Sequence, residues 1–266
     1  MYPTKYRSLT CWNNGEQLLY YFIRIVWDGL SNFAQKMNIM RNNCVKNDYI
    51  CVLIVELWYM EQLSQIGVIP VNYSVLESFL TEYASPRHKI ANLESSCRLI
   101  RLKRGLYVVS PAVSGLLLST ELIANHIYGP SYVSMESALR YYALIPENVY
   151  VVRSMTIKRS RQFDNSIARF DYTFCSDEYF SIGIHLEQKE GYTFMIASPE
   201  KALCDLISYT PNVRFRSLKA LSLYLEEDLR LDMEEFNKMD VEIFRQCAEV
   251  SKKKNELSNL IKLIER

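Results

Sequence analysis

Glycine is scarce in this chain, eight residues in 266, and no group of them forms a loop that could cradle a phosphate. This excludes the glycine-rich phosphate loops of the common nucleotide-binding motifs. Histidine is scarcer still. His88, His126 and His185 stand at no metal-ligating spacing from the cysteines, and neither H-E-x-x-H nor G-x-S-x-G occurs. Seven cysteines, at 11, 44, 51, 97, 175, 204 and 247, contain no C-x-x-C pair, so reduced thiols are expected. Long apolar runs are absent too. The nearest, Tyr49 to Met60, is 12 residues and contains Glu56, against the roughly 18 to 20 needed to span a bilayer. The first residues lack the cationic start and cleavage site of a signal peptide. The expectation is therefore a cytoplasmic protein with no membrane partner, no catalytic residue, no metal and no cofactor.

What is present is a core. With 49% hydrophobic and 23% charged residues the chain has the balance of a folded protein of one or two domains. Its net charge is only +1, yet between Ser85 and Arg104 six Lys or Arg face the single acid Glu94, a local +5. Within that stretch Ser85-Pro86 suits a helix start. Ile90, Leu93 and Cys97 recur at helical spacing and define an inward stripe. Arg87, His88, Lys89, Ala91, Asn92 and Ser95 then lie on the outer side, short and polar or basic. After Cys97 the period changes to two strands, Leu99 to Leu102 and Leu106 to Val109, joined by a turn through Lys103-Arg104-Gly105. A helix with a small polar face can approach base edges, and a basic hairpin beside it can lie along phosphates. The residues for this are Arg87, His88, Lys89, Ala91, Asn92 and Ser95 on the helix, with Arg101, Lys103 and Arg104 on the hairpin. The bland alternative is a solvated amphipathic helix and hairpin.

The rest of the chain divides around this stretch. All three tryptophans (Trp12, Trp27, Trp58) and three of the seven cysteines precede Met60. Residues 1–59 read as an atypical N-terminal extension, with Met60 as the natural start and the preceding segment as upstream read-through; a genuine irregular extension is the alternative. From Met60 a short helix leads through Pro70 to Ser74, where Ser74 to Glu77 fits a capping box and Val75, Leu76, Phe79, Leu80 and Tyr83 form an inward stripe. Three helices and a hairpin over 60–112 make a winged helix-turn-helix, small enough to lean on the rest of the chain. Residues 113–266 read as a mixed α/β domain. Helices are expected near Leu122-Ile123 and, capped by Ser131 or Ser134, through Leu139. Strands follow over Val149 to Met155, Phe170 to Phe174, Ile182 to Leu186 and Tyr192 to Ile196. Ser198-Pro199-Glu200 opens a helix with Ala202, Leu203, Leu206 and Ile207 inward, and helices fill the remainder, one from Met233 to Val250. The fold class is thus α+β, a winged helix-turn-helix followed by a mixed domain ending in helices.

Two further charge patterns stand out. Arg153, Lys158, Arg159 and Arg161, with Arg169, form a second basic cluster, a candidate surface for nucleic acid or a protein partner. Between Glu226 and Glu249 nine acids meet three bases, a pattern usual for a solvated helical face. Asp171 with Glu187 and Lys189 is the one set that could hold a divalent metal, as in some nucleases, and it supplies the rival reading of a metal-dependent nuclease.

Five blocks occur in order: S-P-R-H-K-I (85–90), L-I-R-L-K-R-G-L-Y-V (99–108), G-P-S-Y-V-S-M-E-S-A-L (129–139), S-M-T-I-K-R-S-R (154–161) and A-S-P-E-K-A-L-C-D-L-I (197–207). Together they resemble the AbiEi-type antitoxins of bacterial type IV toxin–antitoxin and abortive-infection systems, over about 60–266. The resemblance implies a winged-helix domain that represses its own operon on double-stranded DNA. It also implies a C-terminal domain that counters a nucleotidyltransferase-like toxin without a stable complex. It implies no catalytic residue.

Overall fold

The computed structural model describes Glu56 and residues 59–80, 83–147, 150–211, 214–215 and 217–266. The expected extension over 1–59 lies almost wholly outside the described residues. The chain divides into two compact units, Met1–Gln65 and Ile66–Arg266. Of the first, residues 59–65 are helical, with Tyr59 and Leu63 buried.

The second unit is mixed α and β, with two sheets. A three-stranded antiparallel sheet has the order β1–β3–β2, from β1 (Val71–Asn72), β2 (Leu99–Lys103) and β3 (Leu106–Val109). Two helices, α1 (Tyr73–Phe79) and α2 (Pro86–Ser95), connect β1 to β2. The capping box expected at Ser74 is not how α1 begins. Asn72 is the N-cap without a side-chain bond, and Ser74 lies inside the helix. The reason is that β1 pairs with β3 and delivers the chain straight into α1, where the Tyr73 N–H donates to the Gly105 carbonyl at 2.9 Å. Leu76 and Leu80 are buried as the stripe requires, but Val75 is exposed.

Helix α2 follows its pattern through Leu93 and departs from it at Cys97. The helix stops at Ser95. Cys97 is exposed with φ of +56°, the Cys97 N–H donates to the Glu94 carbonyl and the Arg98 N–H to the Leu93 carbonyl. This is a Schellman closure with cysteine at the left-handed position that glycine usually fills. Cys97 therefore turns the chain into β2 and is not part of the inward stripe.

The second sheet has six strands in the order β6–β7–β5–β4–β9–β8. They are β4 (Ser131–Val133), β5 (Val151–Thr156), β6 (Arg161–Asp164), β7 (Arg169–Phe174), β8 (Ile184–Lys189) and β9 (Tyr192–Ala197). Pairs β5–β7 and β4–β9 are parallel and the rest antiparallel. The β8–β9 hairpin turns at Glu190-Gly191 as the sequence indicates. Of the two serines that could cap the next helix, Ser134 is the one, preceding α5 (Met135–Tyr141), while Ser131 is instead the first residue of β4. Strand β6 falls inside the second basic cluster, where apolar alternation is too weak to announce it.

Short α3 (Pro111–Ser114) leads to α4 (Thr120–Ile127), which packs on β4 and β9. A four-residue helix, α6 (Asp177–Phe180), precedes β8. Helix α7 (Pro199–Tyr209) opens on Ser198, whose hydroxyl accepts from the Lys201 N–H as expected. All seven residues from Lys201 to Ile207 are buried, so this helix runs through the core rather than along it. The expected inward set omitted Lys201 and Asp205. These two form an ion pair at 3.4 Å with both side chains fully buried. The Lys201 ammonium donates to the Tyr179 carbonyl at 2.7 Å, while Tyr132 and Ser134 donate to Asp205 Oδ2 at 3.0 and 2.6 Å.

The chain ends in α8 (Leu218–Leu223), continued by a π-helical turn over Tyr224–Asp228, then α9 (Met233–Phe236), α10 (Val241–Val250) and α11 (Lys254–Ile264). The single helix expected over Met233–Val250 is two, because Asp240 caps a new one, its carboxylate accepting from the Glu242 N–H. Asp232 caps α9 in the same way. Two of the nine acids thus hold helix starts, and most of the others are exposed.

The small sheet shares a core with the large one. Leu102, Leu106 and Val108 of the small sheet join the same buried cluster as Ile123, Tyr132, Phe170 and Leu203.

Candidate nucleic-acid interface

Helix α2 buries Ile90 and Leu93 and exposes Arg87, His88, Ala91, Asn92 and Ser95. His88, Ala91, Asn92 and Ser95 stand at i, i+3, i+4 and i+7, a single stripe of small or polar groups. Lys89 is half-buried with its ammonium 4.7 Å above the Tyr83 ring. The Ser95 hydroxyl donates to the Asn92 carbonyl at 3.0 Å, which leaves its oxygen free to accept.

The hairpin cations have three different fates. Arg101 reaches back to α2, pairing with Glu94 at 2.5 Å and lying over the Tyr107 ring, so its charge is balanced on the spot. Lys103 is half-buried and donates to the Ile127 carbonyl at 2.6 Å. Ile127 is the last residue of α4, whose final carbonyls have no helical donor; a lysine there satisfies one and complements the helix dipole. Arg104 is exposed in the two-residue turn with Gly105, which takes φ of +77°. Of the three, Arg104 alone has the reach expected of a phosphate-contacting wing residue. Lys103 is held down because the bulge between Arg101 and Lys103 turns it towards α4.

The second basic cluster divides likewise. Arg153 on β5 donates to both carboxylate oxygens of Glu136, at 2.9 and 3.0 Å, and is spent there. Arg159 is exposed in the β5–β6 turn. Lys158 donates to the Gly129 carbonyl and lies 5.5 Å from the Tyr128 ring. Arg161 and Phe163 alternate onto one face of β6, and the guanidinium sits 4.9 Å above that ring.

Lys158 and Arg161 join Lys103 and Arg104 around one cleft of 830 Å³ walled by Tyr128 and Phe163. Four cations and no carboxylate line it. Tyr128, Phe163 and Tyr172 pack edge-on or tilted at 5.3 to 5.8 Å, fixing the aromatic wall. Burial pushes the Lys103 ammonium below its usual range, and the positive Arg161 and Lys158 push it further in the same direction. A smaller hollow of 450 Å³ beside β2 is charge-mixed, with Glu94 and Asp164 among its lining residues. Sequence reasoning named the four cations in two separate clusters but missed Tyr128, His126 and Phe163. Phe163 stands two residues after Arg161, the spacing that puts both on one strand face, while His126 and Tyr128 stand beside no lysine or arginine and carry no local signal.

The metal-binding set does not assemble. Asp171 is on β7 and Glu187 and Lys189 on β8, four strand spacings apart across the sheet, or roughly 19 Å. Asp171 instead pairs with Arg169 at 3.1 Å, and Glu187 accepts from the Tyr141 hydroxyl at 3.1 Å. Among the described residues no three His, Cys, Asp or Glu are grouped to hold a metal ion, and no helix is long and apolar enough to cross a membrane.

Neither the family models nor the curated proteins compared with the chain give a match.

Proposed function

We propose that this protein is a DNA-binding transcriptional autorepressor of the antitoxin type, acting in the cytoplasm as part of a type IV toxin–antitoxin system in phage defence. The observation that carries the DNA-binding half is the arrangement β1–α1–α2–β2–β3. Helix α2 exposes a stripe of short polar side chains beside a hairpin tipped by Arg104, which is the layout of a winged helix-turn-helix. In that layout Asn92, Ser95, Ala91 and His88 face base edges, while Arg87 and Arg104 meet sugar-phosphate. The antitoxin half rests on the five sequence blocks that resemble the AbiEi-type antitoxins. The partner it implies is a nucleotidyltransferase-like toxin, countered without a stable complex.

The test is a gel-shift titration of the full chain on the DNA upstream of its own gene against shuffled DNA of equal length. A shift specific for the upstream DNA supports the reading; equal affinity for both sinks the operator-specific part of it. Co-expression with a nucleotidyltransferase-like protein encoded next to it should relieve growth arrest, and the two should not co-purify.

A further inference from the structure

The cleft between the β2–β3 turn and strand β6 has features that a surface lying on duplex DNA does not need. Its cations come from two distant segments, 103–104 and 158–161, and are held around a concavity by contacts that the protein itself supplies. Lys103 is anchored on the Ile127 carbonyl, Lys158 on the Gly129 carbonyl, and Arg161 on the face of Phe163. These anchors fix three like charges close together, with Arg104 beside them and no acid among the lining residues. Mutual repulsion disfavours such an arrangement, and a bound polyanion would relieve it. The volume of 830 Å³ lies in the range of small-molecule sites, roughly 300 to 1,000 Å³. Its walls offer a planar guanidinium on Arg161 and the aromatic rings of Tyr128 and Phe163, surfaces suited to a flat heterocycle.

We infer that this cleft is a binding site for a nucleoside polyphosphate, with Lys103, Arg104 and Lys158 on the phosphate chain and Arg161 placed to stack on the base. Two lysines already engaged with carbonyls keep further N–H donors for a ligand, since each ammonium has three. His126, at the rim, bonds through Nδ1 to the Leu122 carbonyl at 3.0 Å, which leaves Nε2 directed elsewhere. The inference does not depend on the regulator reading, because it concerns a free nucleotide rather than a duplex.

The experiment is isothermal titration of the full chain with ATP and GTP, alongside adenosine, guanosine and inorganic tripolyphosphate. A nucleoside triphosphate should bind once per chain. The nucleosides and tripolyphosphate should each bind at least about tenfold more weakly, since each lacks a set of contacts worth 1.4 kcal/mol or more. Arg161→Gln should weaken nucleotide binding by about tenfold, the worth of one stacking contact on a base. It should leave the melting curve unchanged, because its charge supports no helix end, and Arg161→Lys, which keeps the charge but loses the plane, should not restore the preference over tripolyphosphate. Lys158→Gln serves as a second variant, with its fold checked by the same melting curve. No heat with either nucleotide, affinity unaltered by Arg161→Gln, or tripolyphosphate binding as well as ATP would each overturn the inference. If nucleotides give no heat while the same variants weaken a gel shift on duplex DNA, the cleft belongs to the DNA footprint. In that case the nucleotide site is refuted and the regulator reading stands.

Discussion

Replacing Lys201 by methionine removes a charge that is fully buried and leaves its partner behind. Asp205 would keep the hydroxyl donors of Tyr132 and Ser134, at 3.0 and 2.6 Å, but lose the cation 3.4 Å from Oδ1. The ring of Tyr179, whose centroid is 3.2 Å from the ammonium, would also lose its cation. An uncompensated carboxylate in this setting costs about 3 to 5 kcal/mol. For a domain of this size that is a fall in melting temperature of roughly 6 to 20 °C. Asp205→Leu should cost at least as much, because it strands the Lys201 cation and two hydroxyl donors, each unmet donor worth about 1 to 3 kcal/mol. The informative protein is the double variant, Lys201→Met with Asp205→Leu. With both charges gone the Tyr132 and Ser134 hydroxyls and the Tyr179 carbonyl lose a partner but no charge is stranded, so the double variant should be no less stable than either single one. The assay is urea unfolding followed by circular dichroism, closed as a double-mutant cycle. Losses that simply add, with no coupling of about 2 kcal/mol or more, would refute the idea that the pair is held by mutual compensation.

Other outcomes follow from the fold and the candidate interface. Asn92→Glu should abolish the specific gel shift without changing the melting temperature, whereas Leu93→Ala should cost roughly 2 to 4 kcal/mol of stability because that side chain is buried. Arg104→Ala should make the slope of log affinity against log salt shallower by about one unit. Lys103→Ala should instead lower stability by about 0.5 to 1 kcal/mol through loss of its cap on α4, as a melting curve would register. Cys97→Gly should leave stability unchanged or raise it by up to about 1 kcal/mol, since the residue is exposed at a left-handed φ and buries nothing; a clear loss in urea unfolding would contradict this. Followed by NMR, the Lys103 ammonium should titrate below ordinary lysines and move up in Arg161→Ala. Because its folded value is lowered, the unfolded chain holds more protons through that window, so this group's contribution to stability grows as pH rises through it.

The helices and hairpins that end on strong local signals were legible from residue types alone. Pro86 at the first position of α2, Gly105 in the β2–β3 turn, and Ser198-Pro199 before α7 each carry their own stereochemical instruction, and each stands where the pattern puts it. The misses have a common cause in tertiary pairing. Strand β4 is three residues, too short for any period to declare, and exists because Ser131, Tyr132 and Val133 pair with β5 and Val133 with β9. Asn72, not Ser74, starts α1 because a strand partner delivers it there. Lys201 and Asp205 read as the polar face of an amphipathic helix, and only a second layer of helices over α7 turns that face inward. At the interface, the sequence identifies which residues are basic, but not that Arg101 and Arg153 are neutralised by Glu94 and Glu136. Nor does it reveal that residues 103–104 and 158–161 share a cleft, since no local rule links positions 55 apart.

The shared core has a practical meaning for anyone wishing to transplant the helix and hairpin proposed to read DNA. The Asn165 amide holds the Leu102 carbonyl at 3.1 Å, Lys103 holds the end of α4, and Leu102, Leu106 and Val108 are buried among residues from far downstream. A fragment cut after residue 112 would leave those leucines facing water and the hairpin without its two struts. Fused to another effector it would behave as an aggregation-prone stub, not as a portable module. Conversely, anything that loosens α4 or the turn at Asn165 is transmitted directly to the hairpin. A ligand or partner gripping the C-terminal half would therefore not need to touch α2 to change how the hairpin is presented.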